Sequence, residues 1–166
     1  MLTPAQQTAL KADMTAKALP GGPFVEWLPG NNFNYIAQWY GQNASPSFTV
    51  WKKSINTSDV GRTVNYIAVA AMTTANLDRV NNFYNMNPVV FDPSRDDIRT
   101  FWNDTFSGAL GGQGQATRDA LMALWKRLAN NVEKLFATGT ASDAVPAQLV
   151  YEGTVTEDEC RQAYQG

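Results

Sequence analysis

The stretch ATRDALMALWKRLANNVEKLFATGT, residues 116–140, constrains the fold more than any other part of the chain. Leu121, Leu124, Trp125, Leu128, Val132, Leu135 and Phe136 fall at i, i+3, i+4, i+7, i+11, i+14 and i+15. That spacing makes one apolar stripe over about five helical turns. It predicts a single helix over 116–137 whose stripe, Leu128 included, packs inside the protein, with Gly139 as its stop. Arg118, Lys126, Arg127 and Lys134 then form a basic strip on the polar side.

The other segments are shorter and carry clear punctuation. Thr3-Pro4 reads as an N-cap followed by proline at the first helical position, and Leu2, Ala5, Ala9, Leu10 and Met14 keep to one face behind it. LPGGPF at 19–24 and Pro29-Gly30 break the chain. Phe33, Ile36, Ala37 and Tyr40 then predict a short helix ending at Gly41. SFTVWKKSI at 47–55 follows a serine-proline turn and reads as a strand. Helical spacing resumes with Val60, Val64, Ile67, Ala68 and Ala71, and again near Thr74 with Leu77, Val80, Phe83 and Tyr84.

NMNPVVFDPSRDDI reads as a loop closed by a helix start, with Asp92 as N-cap, Pro93 as first helical residue, and Asp96 and Asp97 in the first turn. Ile98, Phe101, Trp102 and Phe106 line that helix, Gly108 stops it, and GALGGQG at 108–114 reads as a flexible linker. AQLVYEGTV at 147–155 reads as a second strand, paired with the first. TEDECRQAY closes the chain as a helix with Thr156 and Glu159 placed as a capping box. The expected fold is mainly α: one compact helical domain over 1–166, with about five to six helices and a small two-stranded β element.

Composition narrows the function more than it names one. Apolar residues make up 44% of the 166, enough to fill a core, whereas charged residues are 17%, below the roughly 25% typical of globular domains. Asn, Gln and Thr must cover much of the surface, which suits a subunit that meets neighbours. A net charge of −2 argues against a free nucleic-acid binder. No apolar run is long enough to span a bilayer, and MLTPAQQ lacks the basic-then-apolar order of an export signal, so a cytosolic product is expected.

The chain has no histidine and one cysteine, Cys160. Histidine-based acid–base catalysis, cysteine–histidine pairs, intrachain disulfides and cysteine zinc sites are therefore excluded. GGQG at 111–114 lacks the lysine and preceding strand of a phosphate loop. Asp92, Asp96 and Asp97 could hold a hard cation, but capping and the helix dipole already account for them. Cys160 lies among Glu157, Asp158 and Glu159, which raise a thiol pKa and leave it inert.

A solvated face is the plainer reading of Arg118, Lys126, Arg127 and Lys134; contact with DNA phosphates or an acidic partner is the sharper one. Trp27, Trp39, Trp51, Trp102 and Trp125 are core candidates, and any that are exposed would anchor a protein contact. The expectation is a binding or structural protein, not an enzyme, without metal or cofactor.

Several segments together resemble a family of tailed-bacteriophage structural proteins from the capsid and tail gene block. They are LTPAQQTALKADM, SPSFTVWKKSI with its Pro-x-Phe-x-Val-Trp pattern, DPSRDDIRTFW, KRLANNVEKLFATGT and YEGTVTEDECRQAY. The resemblance covers most of the chain, with 20–45 and 56–90 fitting least well. It implies a virion component assembled in the bacterial host cytoplasm, most specifically a head–tail adaptor, connector or neck subunit. Such subunits form rings of identical copies, commonly about twelve, between portal and tail proteins. Passing contact with packaged DNA is implied, and no membrane. The competing expectations are a capsid decoration or tail-tip/fibre-attachment protein and, from the carboxylates alone, a cell-wall hydrolase.

Overall fold

A computed structural model describes residues 1–87, 89–107 and 110–166. In chain order the first half contains α1 (Pro4–Lys17), α2 (Phe33–Gly41), β1 (Thr49–Trp51), β2 (Ile55–Asn56), α3 (Thr57–Thr63), α4 (Tyr66–Ala70) and α5 (Thr74–Met86). The second half contains β3 (Val90–Phe91), α6 (Asp96–Thr105), α7 (Gly111–Leu124), β4 (Lys126–Leu128), α8 (Asn131–Phe136) and α9 (Glu157–Gln165). The protein is mainly α with a small β part, as its periodicity predicts. The helices number nine among the described residues, more than the expected five to six, and two predicted helices are each divided.

The chain forms two compact units, Met1–Val50 with Leu128–Gly166, and Trp51–Arg127. In the first, α9 packs on α1 and α2, and α8 packs on the same pair. Leu10, Met14, Phe24, Phe33, Ile36, Tyr40, Val132 and Cys160 form its core. Both ends of that assembly are fixed locally. Thr3 caps α1 and Thr156 caps α9, each in a reciprocal capping box, with Gln6 and Glu159 respectively. A smaller cluster of Val50, Ala129, Ala141, Ala147 and Leu149 lies beside segment 137–149. Gly139 sits there at φ 111°, with Ala147 Cα 3.5 Å from where a Cβ would stand, so only glycine fits without strain.

The second unit closes around aromatic rings. Val60, Phe83, Phe91, Trp102, Phe106, Leu121 and Trp125 form its core. Strands β2 and β3 pair antiparallel in register Ile55 to Phe91 and Asn56 to Val90. The predicted helix from Ser58 is divided at Val64, and Asn65 caps the new start by accepting from the Ile67 amide. Ile67 is consequently exposed. Asp92 does not cap α6: the helix begins at Asp96, and Asp92 instead accepts from the Ser94 amide (2.8 Å) in a turn before it. Gly111–Gly114 are helical, not linker. A Cβ on Gly114 would lie 2.6 Å from the Phe106 carbonyl oxygen, so glycine lets α7 approach that backbone. The expected stop at Gly108 lies outside the described residues.

The single helix predicted over 116–137 does not form. After Leu124 the chain turns at Trp125, extends as β4, and starts again as α8. One helical bond, Ala129 to Trp125, is replaced by two others. The Ala129 amide donates to the Phe48 carbonyl (2.8 Å), and the Trp125 carbonyl accepts from the Lys52 amide (2.8 Å). β1 therefore pairs with β4. The predicted strand at 147–155 is reduced to isolated bridges, Val50 with Ala147 and Thr138 with Gln148. The stripe splits accordingly: Leu121 and Trp125 enter one core, Val132 and Phe136 another, and Leu128 is 51% exposed. Leu128→Asp should thus shift stability by less than about 1 kcal/mol, whereas Leu121→Ala should cost about 2–5 kcal/mol. Paired denaturant titrations check this, and equal losses would restore the continuous-helix expectation.

Candidate interaction surface

The four cations selected by sequence do not share a face, because the helix that would align them is absent. Arg118 on α7 donates to the Phe106 carbonyl and to Gln115. Lys126 and Arg127 lie on β4, with the Lys126 ammonium 5.9 Å from the centre of the Trp51 ring. Lys134 on α8 donates to the Ser45 carbonyl (3.4 Å) and lies 5.9 Å from the Phe48 ring centre. The first three belong to one unit and Lys134 to the other.

The acidic clusters are held by local partners. Arg95 forks onto Asp97 and depresses that carboxyl below its usual range, while Arg99 bonds Asp96 (3.1 Å). Arg161 takes Glu157 and Asp158 on α9. Among the described residues no group of three or more carboxylates and cysteine could hold a metal ion, and no helix is long and apolar enough to cross a membrane. Burial, then Glu159 and Glu157, push the Cys160 thiol up to about 12. Its thiolate is therefore scarce at neutral pH. Native Cys160 should label with iodoacetamide at pH 8 at least about a hundredfold more slowly than the denatured chain; comparable rates would contradict its burial.

Trp51, Trp102 and Trp125 are buried, whereas Trp27 and Trp39 are half-buried. Trp39 belongs to a cleft of about 430 Å³ in the first unit, lined also by Asp13, Lys17, Asn131 and Lys134. Its polar groups answer one another: Lys17 pairs with Asp13 (2.5 Å) and lies over Trp39, and the Tyr40 hydroxyl donates to Asp13 (2.6 Å). Burial and that carboxylate raise the Tyr40 pKa, so the phenol stays a donor. The cleft is a tied structural corner.

The second unit has a groove of different character. α5 and α6 leave a trough of about 420 Å³ floored by Phe83 and Phe101, with Met86 and Ile98 on its walls. Met86 is 81% exposed. Two arginines rim the trough. Arg95 is held by Asp97, and the Arg79 guanidinium carbon lies 5.2 Å from the Phe101 ring centre. The floor is rigid, since Phe83 stacks on Phe101 (5.3 Å) and meets Trp102 edge-on (5.0 Å). Apolar floor, flexible methionine and arginine rim are the composition of a protein-docking surface. Sequence periodicity placed Phe83, Ile98 and Phe101 in the core and did not single out Met86 or Arg79. Met86 lies off the apolar stripe of α5, the one signal that was available.

Charge is unevenly divided. The first unit carries four basic and eight acidic residues, a formal −4, and the second nine basic and seven acidic, a formal +2. Compared with protein-family models, with curated proteins and with solved structures, the chain gives no match.

Proposed function

We propose that this chain is a structural subunit of a tailed-bacteriophage virion, placed at the head–tail junction as an adaptor, connector or neck component. It acts as a ring of identical copies, with portal protein on one side and tail proteins on the other. The groove between α5 and α6 carries the reading. It is an apolar trough with an exposed methionine and an arginine rim, suited to holding protein rather than to transforming a substrate. The sequence resemblance supplies the setting. A ring needs one surface that fits a different surface on the next copy, and the formal −4 of the first unit against the +2 of the second is compatible with that need.

DNA contact by Arg118, Lys126, Arg127 and Lys134 is secondary to this reading, since Arg118 and Lys134 are engaged with carbonyl groups. Electron cryomicroscopy of particles containing this chain tests the placement. A ring of its density between portal and tail is expected, with about twelve copies per particle. Density confined to the outer capsid surface or to the distal tail tip would overturn it.

A further inference from the structure

In the second unit, β2 and β3 form a two-stranded sheet, so β3 keeps one edge without a neighbouring strand. Its register sets Ile55 opposite Phe91 and Asn56 opposite Val90, and the Thr57 amide donates to the Val89 carbonyl (2.9 Å). Bonded and non-bonded positions alternate along an antiparallel ladder. Thr57 with Val89 and Ile55 with Phe91 are therefore the bonded positions, and the Val90 N–H and C=O point away from β2. Among the described residues neither group has a partner. The side chains there are open as well: Val89 is 67% exposed and Val90 49%. Edge strands are usually guarded by charge or by proline. No charged residue occurs between Arg79 and Asp92, and the one proline in that stretch, Pro88, removes a single amide. The segment also follows directly in the chain from Met86 and Asn87, which line the α5–α6 groove.

We infer that the open edge of β3 takes an extended, uncharged segment of another protein in the assembly, added as a third strand beside β2 and β3. The inference deepens the reading of this unit as a holder of protein and rests on it. Main-chain bonds to the Val90 N–H and C=O hold the added strand, and its β-branched side chains cover Val89 and Val90. Hydrogen bonding selects an extended occupant, because the amides and carbonyls along a helix already bond one another. Charge selects a neutral one, because a lysine or glutamate set against these valines would lose water without gaining a partner. A second copy of this chain is a poorer occupant than a foreign strand. Pairing β3 with itself about Val90 sets Asp92 opposite Pro88 on both sides of the axis, so two amides are missing where a foreign strand meets one such gap.

A capped pentapeptide of alternating valine and threonine, titrated into the isotopically labelled full chain and followed by amide NMR, tests it. The Val90 amide signal should move and saturate, with a dissociation constant on the order of 1 mM for so short a strand. The same peptide with its amides N-methylated should bind at least about tenfold more weakly, because the main-chain donors are gone. Val90→Lys restores a charged guard at an exposed position and should weaken binding by about tenfold or more with an unchanged melting temperature, whereas Val90→Thr should bind as the unaltered chain does. Shifts confined to Ile98 and Phe101, equal binding of the N-methylated peptide, or no binding into the millimolar range would overturn strand addition. A dimer of the peptide-free chain in sedimentation velocity, dissolved by Val90→Lys, would give the edge to a second copy and overturn the choice of a foreign strand. None of these results touches the placement at the head–tail junction, which particle imaging decides.

Discussion

Trp102→Ala should destabilise the second unit by about 3–5 kcal/mol, the range for removing a fully buried tryptophan. The side chain is 1% exposed and touches four aromatic neighbours: Phe83 (5.0 Å), Phe101 (5.5 Å) and Tyr84 (6.2 Å) edge-on, and Phe106 stacked at 5.8 Å and 14°. No nearby group can swing in to fill the space, because those neighbours are themselves locked ring on ring. A loss of this size lowers the melting temperature of so small a unit by roughly 12 °C or more.

Trp102→Phe provides the informative contrast. The indole Nε1–H of Trp102 is buried without a hydrogen-bond partner among the described residues, as is that of Trp125. An orphaned buried donor costs about 1–3 kcal/mol, and phenylalanine removes it while keeping most of the ring contacts. The two effects oppose each other, so the phenylalanine variant should lie within about 2 kcal/mol of the unaltered protein. Denaturant melts of both variants, followed by near-ultraviolet circular dichroism, measure the difference. If phenylalanine costs as much as alanine, the indole nitrogen is not the liability described here.

The second large effect is expected at Glu133, in the first unit. Its carboxylate is 2% exposed and accepts from two backbone amides, Asn130 through Oε2 (3.1 Å) and Gly153 through Oε1 (3.0 Å). Asn130 returns both contacts, accepting from the Glu133 amide (2.8 Å) and donating to the Gly153 carbonyl (2.8 Å). Two of these hydrogen bonds close the cap of α8, and the other two bind it to the turn at Gly153. Glu133→Ala strands two amide donors and undoes the cap, and should cost about 2–4 kcal/mol after allowing for the relief of removing a buried charge. Glu133→Gln keeps one acceptor but turns an NH₂ toward an amide donor, so it should fall between alanine and the unaltered chain. Equilibrium unfolding in urea checks the order; an alanine variant within 1 kcal/mol of the unaltered protein would contradict it.

Glu133 also lies where the apolar pattern and the fold part company. Asn130-x-x-Glu133 has the spacing of a capping box, the signal that locates α9 at Thr156 and that the structure shows at Thr3 as well. The apolar stripe of 116–137 runs unbroken across that cap, with Leu128 at the interruption. A stripe records which side chains are apolar, not which core each enters, and here Trp125 and Val132 serve different cores. The basic strip failed with it, since alignment of Lys126, Arg127 and Lys134 depended on that one helix. The groove was hidden for a related reason: α5 and α6 each show an ordinary amphipathic pattern, and only their packing reveals that Phe101 and Met86 are left partly open.

By itself the sequence determined what is local. Caps three residues from their partners, proline at a first helical turn and a short apolar face were enough to specify α1, α2 and α9, because the groups that satisfy one another lie within a single turn of chain. It also determined the absence of histidine and the isolation of Cys160. Only tertiary structure decided whether Ala129 would bond Trp125 in a helix or Phe48 across the chain, and it chose the partner about eighty residues away. A backbone amide accepts any well-placed carbonyl, and nothing in the side-chain pattern around 125–130 names a distant one.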